Sequence, residues 1–384
     1  MLWSCLCRFS SRIVGLLDVI YDFLFLRKSP SGGNCPTSCP YLTENDVPQE
    51  SMDKKPRFPF LKLHYVAIRE VLNTLDPIDY INFSKTSKSC RHLSTIKKPY
   101  KVKLVFAEFP LISFRNENPI EYIVRWTENR EEDGTREFWE YESFDNLYKY
   151  SENSLDALKE FKEFYLYVKS LMSVEIDEVA WFMSDFNELC GKDVDWLRSN
   201  APEFPTLFVH GFRQLSIELQ YILDNVKVTN ILEIYVSLSL FEYNEKPLPL
   251  RIPDTIEELR IVYGSWITLD FIMNLKLRRL AFRDTYLTSQ EMNVFCKSWI
   301  EMKSHHSLER FEINVSNRED FIAIGLGDIP YRMGPLRPGP YPSYVPVQGS
   351  FEVTRDDGLT ASICTYLFVS GFTVIMYTRL PDLN

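Results

Sequence analysis

The sequence predicts an α/β chain, α+β in overall arrangement: a small helical unit, then strands alternating with helices, then a C-terminal β-hairpin segment. Three observations predict it. From Phe58 to Leu93, apolar residues recur at helical spacing with almost no room for loops. From Leu171 to Val315, an apolar-x-x-apolar-x-apolar register returns every 20 to 33 residues or so. After Gly349, alternating runs surround an Asp-Gly turn signal.

Length and composition frame the rest. The chain has 384 residues, enough for two domains or one domain with appendages. With 45% hydrophobic and 14% aromatic residues it can build a sizeable core. A net charge of −10, with no long basic stripe, argues against a general nucleic-acid binder, which needs a cationic face to displace counterions. Cys90, Cys190, Cys296 and Cys364 lie far apart in apolar or helical surroundings, as reduced core residues of an intracellular protein do. Cys5, Cys7, Cys35 and Cys39 match no zinc spacing, and neither a metal nor a cofactor is expected.

Residues 1–51 read as a poorly ordered extension and linker with one short amphipathic helix. Ile13, Leu16, Leu17, Ile20 and Leu24 share a helical face. The apolar run is too short to span a bilayer and carries Asp18 and Asp22. A signal peptide is the competing reading, since Arg8 and Arg12 precede the run, but no small-residue cleavage site follows. Ser29 to Gln49 is linker-like in composition, and Met52 stands just before the helical unit. Membrane association is not expected.

Residues 52–100 form the helical unit. Pro59, Leu61 and Leu63 make an extended apolar lead-in. Ile68, Val71, Leu72 and Leu75 fall on one face of a first helix. Asp76 and Pro77 are an N-cap and a first helical residue, and they open a second helix carrying Ile78 and Ile81. Cys90, Leu93 and Ile96 continue as a third. So small a unit buries too little apolar surface to stand alone without a staple, so it docks on the rest of the chain or on another protein.

The order of these residues resembles an F-box, most closely that of the large nematode F-box families, with the pattern FPxLxLPxxxxxEVLxxLxPxxxxxxSxxSK. His64 departs from it, standing where that pattern usually has Pro.

Residues 101–170 read as a β-hairpin and helix region. Alternation predicts strands near Val102–Phe106, Ile112–Arg115, Tyr122–Trp126 and Glu137–Tyr141, with Asp133-Gly134 turning between the last two. A helix from about Ser154 to Met172 follows, with Leu155, Leu158, Phe161, Tyr165 and Val168 as its stripe.

Residues 171–384 carry the recurring register. Its triplets are Leu171, Val174, Ile176; Phe204, Leu207, Val209; Thr229, Leu232, Ile234; Ile256, Leu259, Ile261; Leu277, Leu280, Phe282; and Leu308, Phe311, Ile313. The period is near that of leucine-rich repeats, without their regular Asn, so a degenerate repeat-like strand–helix domain is expected, its parallel sheet open on one side. Helices are expected at Leu269–Leu275 and at Ser289–Met302, the latter capped by Ser289.

Ser265-Trp266-Ile267-Thr268-Leu269 and Asn293-Val294-Phe295-Cys296-Lys297-Ser298-Trp299-Ile300 are similar to the SWITL and NxFLKSWI signatures of the type 2 F-box-associated domain. Cys296 replaces a more usual Leu, and Leu308-Glu309-Arg310-Phe311 is similar to the strand that closes that motif. Trp266 and Trp299 are expected in the core. Pro330 to Gly349 reads as an extended loop, followed by a hairpin about Arg355-Asp356-Asp357-Gly358, itself similar to the end of the family pattern, and a strand at Phe372–Tyr377.

No nucleophile elbow, phosphate loop or zincin motif is present, and His305 and His306 fall in a Ser/Lys loop where solvation is expected, so no catalytic residue is assigned. The resemblance implies a non-catalytic substrate-recognition subunit of a Skp–cullin–F-box ubiquitin ligase, cytoplasmic or nuclear. Pro59, Leu61 and Leu63 would lie in the groove of the Skp adaptor. Ile68, Leu72, Leu75, Pro77, Ile78 and Ile81 would divide between that interface and the unit's own packing. A substrate protein would meet solvent-directed strand residues of the second domain: Glu233, Tyr235, Arg260, Arg283, Glu312 and Asn314. The alternative is an interaction scaffold whose N-terminal helices cap the repeat-like domain.

Overall fold

A computed structural model describes residues 60–94, 99–139, 143–183, 190–211, 216–236, 250–285, 287–315, 317–339, 344–368 and 371–378. The expected N-terminal helix, the linker, Met52, Pro59 and Ile96 lie outside these residues. The chain divides into two compact units, Met1–Lys98 and Pro99–Asn384.

In the first unit a 3-10 turn at Phe60–Lys62 leads into α1 (Tyr65–Thr74), α2 (Pro77–Lys85) and α3 (Lys88–Leu93). Each helix begins where the sequence supplies a cap. Asp76 Oδ1 accepts from the Asp79 N–H at 2.9 Å, with Pro77 at the first helical position. Ser87 Oγ accepts from the Cys90 N–H at 3.1 Å. His64 is extended at φ −60° and ψ 140°, and its ring nitrogen accepts from the Val66 N–H at 3.4 Å. That φ is the one a proline would impose. The turn geometry is therefore kept without proline, and the imidazole caps the helix instead. Tyr80, fully buried, donates its hydroxyl to the Ser94 carbonyl at 2.6 Å and ties α2 to the end of α3.

The second unit is built on one mixed sheet. Its N-terminal strands are β1 (Pro99–Phe106), β2 (Leu111–Arg115), β3 (Glu121–Thr127), β4 (Arg136–Trp139) and β5 (Phe144–Tyr150). Helix α4 (Ser154–Leu171) then leads to β6 (Ser173–Phe182), α5 (Cys190–Asn200), β7 (Glu203–Gly211), α6 (Ser216–Asn225) and β8 (Lys227–Val236). There follow β9 (Glu258–Ile261), α7 (Leu269–Met273), β10 (Arg279–Phe282), α8 (Ser289–Ile300) and β11 (Arg310–Val315). The chain ends in β12 (Arg332–Met333), β13 (Val345–Pro346), β14 (Phe351–Thr354), β15 (Thr360–Phe368) and β16 (Gly371–Tyr377).

The strand order is β12-β14-β15-β16-β11-β10-β9-β8-β7-β6-β1-β2-β3-β5-β4, with β13 beside β15. The central run β1-β6-β7-β8-β9-β10-β11 is parallel throughout. Antiparallel strands flank it, β2 on one side and β16 on the other.

The apolar register explains that run. Its last two members in each triplet fall in two rows across the sheet. One row is Leu207, Leu232, Leu259, Leu280 and Phe311; the other is Val209, Ile234, Ile261, Phe282 and Ile313. Every one of these side chains is buried. A period of two puts both rows on one face, and a one-residue slip of any strand would turn its pair toward water. The helices cover this face: Phe295 of α8 stacks on Phe311 at 4.2 Å between ring centroids, and Phe161 of α4 meets Phe106 edge-on at 5.2 Å.

Several expectations are corrected. In β6 the row members are Val179 and Trp181, not Val174 and Ile176, because the β1–β6 register shifts between Val102 and Lys103 and displaces the strand against its sequence pattern. The Asp133-Gly134 turn, with Gly134 at φ +74°, does not join β3 to β4. β5 lies between those two strands, parallel to β3 and antiparallel to β4, so they form no hairpin with each other. The α8 cap is Thr288, in a capping box with Glu291, so Ser289 is the first helical residue. Trp299 is fully buried, whereas Trp266 is half-buried against Phe271 at 5.1 Å. His305 is buried, not solvated: its φ of +53° turns the ring inward onto Phe295, 5.0 Å away, and Nε2 lies 3.1 Å from the Ile272 carbonyl.

Candidate functional site

In the first unit the predicted adaptor-binding residues separate by burial. Ile68, Leu72, Pro77, Ile78 and Ile81 are buried. Leu61 is 51% exposed, and Leu63 and Leu75 are half-buried. Tyr65 and Val66, which the helical pattern did not single out, are 56% and 55% exposed. The division has a simple cause. Phe60 packs edge-on against Phe83 at 5.6 Å and turns the lead-in so that Leu61 faces outward next to the first turn of α1. What remains is a strip of exposed apolar side chains, Leu61, Tyr65 and Val66, on a unit whose interior is already filled. Exposed apolar side chains this close together in the sequence make this end of the unit a candidate interaction surface.

In the second unit the sheet face opposite the helices carries the other candidates. All six lie on it in two rows. Glu233, Arg260 and Glu312 stand in one row with Phe208 and Ala281. Tyr235, Arg283 and Asn314 stand in the next with His210, at the strand ends. Five of the six are half-buried. Glu312 is the exception at 1% exposure: it was expected to face solvent, and Tyr344 covers it. The Tyr344 hydroxyl donates to Glu312 at 2.5 Å and accepts from Arg283 at 2.8 Å. Burial, reinforced by its bond to the Glu312 carboxylate, raises the Tyr344 phenol's pKa. Tyr344 belongs to a buried cluster with Cys364, Tyr366, Ile375 and Tyr377, so the C-terminal segment closes the face over β11, β16 and β15.

Glu258 is the electrostatic centre of the part that stays open. It is buried, and its carboxylate accepts from Arg260 Nε at 2.6 Å, Arg310 at 2.8 Å and Arg279 Nε at 2.8 Å. Arg279 and Arg310 are direct cross-strand neighbours, a repulsive pairing that Glu258 relieves. Burial pushes the Glu258 carboxyl up, but the guanidinium groups of Arg310, Arg260 and Arg279 outweigh it and hold it below the usual carboxylate range. Beside this network an aromatic patch runs across β6, β7 and β8. Phe208 lies 4.9 Å from Tyr235, and Phe182 lies 5.2 Å from His210. Burial, then the Glu233 carboxylate, pushes the Tyr235 phenol up to about 12. A hollow of about 160 Å³ opens between Tyr235, Arg260, Arg283, Arg310, Glu233 and Glu312.

Sequence reasoning missed Glu258, Arg310, Tyr344 and the aromatic patch. Glu258, Phe208 and His210 were legible in the register itself, since they alternate with its inward residues. Tyr344 was not, because its contact spans 32 residues from a loop with no periodicity. The arrangement can hold a protein surface through rings, ion pairs and hydrogen bonds. Among the described residues no group of His, Cys, Asp and Glu could hold a metal ion, and no helix is long and apolar enough to cross a membrane.

No curated protein and no solved structure matches the chain. Two family models do. One, described as F-box domain, matches residues 60–102, and the other, described as F-box associated, matches residues 250–313. The first spans α1 to α3 and enters β1; the second runs from before β9 into β11 and includes Glu258, Arg260, Arg283 and Glu312. The chain therefore carries an F-box domain, which points to an adaptor that binds Skp in a ubiquitin ligase, and an F-box-associated region, which points to substrate binding.

Proposed function

We propose that this chain is the substrate-recognition subunit of a Skp–cullin–F-box ubiquitin ligase, acting in the cytoplasm or nucleus without chemistry of its own. The observation that carries the reading is the exposed apolar strip of Leu61, Tyr65 and Val66 on the F-box unit. Half-buried Leu63 and Leu75, the latter at the far end of α1, and Pro59, just ahead in the sequence, add to the adaptor contact. Ile68, Leu72, Pro77, Ile78 and Ile81 shape the helices that present it. The second unit, a degenerate leucine-rich-repeat-like domain of the nematode F-box type, holds a substrate protein by Glu233, Tyr235, Arg260, Arg283 and Asn314. Glu312 acts from beneath, by positioning Arg283 and Tyr344. The ligase gains effective concentration and orientation from this, not bond making.

The test is retention of the recombinant chain on immobilised Skp adaptor. The parent chain is expected to bind, and Pro59→Ala combined with Leu61→Ala is expected to lose binding while keeping its circular dichroism. Equal retention of both would overturn the assignment.

A further inference from the structure

We propose that the open edge of β4 takes up an extended, basic segment of a partner protein as an added strand. β4 ends the sheet, and among the described strands only β5 pairs with it. The Tyr148 N–H donates to the Thr135 carbonyl at 3.0 Å. The alternation of an antiparallel ladder then turns the main-chain groups of Glu137 and Trp139 toward β5 and those of Phe138 outward. An outward row of N–H and C=O groups is a template for another strand.

The side chains say what kind of strand. Phe138 and Trp139 are 55% and 49% exposed, and being consecutive they flank the edge on both sheet faces. They offer apolar contact to alternate side chains of an incoming segment. The charge around them is mostly acidic, the exposed exception being Arg130, whose guanidinium lies over the Tyr150 ring at 5.7 Å. Glu137 in the strand, and Glu128, Glu131 and Asp133 before it, are exposed. The strand's own cation, Arg136, is taken up by Asp145 in a two-pronged pair at 2.7 Å for both contacts. An acidic rim with its internal cation neutralised favours a lysine- or arginine-bearing occupant and repels an acidic one. Natural edges of this kind are usually blunted by lysine or proline. This one has neither, although it is only four residues long.

The inference rests on reading the second unit as substrate-holding, but it does not depend on the Skp adaptor, which is left out of the test. The full chain is titrated into a fluorescein-labelled peptide of alternating valine and lysine, with a valine–glutamate peptide as counterpart, and anisotropy is read. The lysine peptide is expected to bind at least tenfold more tightly than the glutamate one. Phe138→Pro removes an outward N–H without costing a β4–β5 bond and leaves all charges in place, so it is expected to weaken binding about tenfold. Glu137→Lys, which keeps the strand, is expected to narrow the preference for the lysine peptide at least threefold. Equal affinity of parent and both variants would overturn the proposal, as would equal affinity for the two peptides. Self-association of the parent chain that Phe138→Pro abolishes would also overturn it, by making a second copy the occupant. Adaptor retention measured on the same preparations reports separately on the ligase reading.

Discussion

The guanidinium of Arg355 lies over the indole of Trp299, 5.2 Å from the ring centroid. It also donates to both carboxylate oxygens of Asp357, at 3.0 and 2.7 Å, and to the His306 carbonyl at 3.1 Å. The β14–β15 turn thereby clamps the end of α8, and the Asp356 N–H reaching the Ile300 carbonyl at 3.0 Å completes the contact. Two stretches that the sequence places more than fifty residues apart thus form one structural joint.

Arg355→Lys keeps the charge but loses the fork and the stacked plane. It is expected to cost about 1 to 3 kcal/mol, read as a lower urea midpoint at unchanged slope. The bond to Arg355 holds the Asp357 carboxyl down to about 2. Its folded value thus lies below the ordinary aspartate value of about 3.9. Its contribution is present above pH 4 or so and is lost as pH falls toward 2. Asp357→Asn is expected to remove that part of the acid sensitivity.

Glu258→Ala leaves Arg260, Arg279 and Arg310 crowded on adjacent strands without their shared anion. A loss of about 3 kcal/mol is expected, the typical cost of removing one member of a buried ionic group. Glu258 is held below its ordinary value, so its stabilisation is complete above pH 4.3 or so and fades as pH falls below it. Urea denaturation of parent and variant at pH 7 and pH 4 checks both statements, the gap between the two narrowing at pH 4.

His305 works in the opposite sense to a paired histidine. Burial lowers its pKa, so the folded chain prefers the neutral ring, while the unfolded chain takes up a proton near pH 6.5. Its stabilisation is full above pH 6.5 or so and declines as pH falls below that value. His305→Asn, which tolerates the left-handed backbone at φ +53°, is expected to flatten the midpoint between pH 7 and pH 5.5.

In the F-box unit two leucines are expected to behave differently. Leu72 is 1% exposed, and Leu72→Ala should cost about 2 to 5 kcal/mol. Leu61→Ala should change stability by less than about 0.5 kcal/mol, yet lower adaptor affinity at least tenfold. Thermal melts of each variant, paired with adaptor titration, separate packing from binding.

Much of the fold was legible because it is periodic or capped. The Asp76-Pro77 pair opened α2 where expected, and the triplets found the inward rows of β7 through β11. The rows failed at β6, where a register shift breaks the period of two. The site was legible only in its strand residues. Glu233, Arg260 and Arg283 followed from alternation, whereas the cover of Tyr344 over Glu312 and the threefold arginine contact of Glu258 depended on which strands became neighbours.

By itself the sequence determined the starts of α2 and α4, the two F-box-type signatures, the inward rows of β7 to β11 and the outward character of the residues between them. These are local properties, set by caps and by a side-chain period of two. Only the tertiary structure decided that β5 lies between β3 and β4, leaving β4 at an edge, that the C-terminal segment closes part of the open face, and that Arg355 meets Trp299. Those pairings join residues far apart in the chain, and their energies exist only once the strands and loops are brought together.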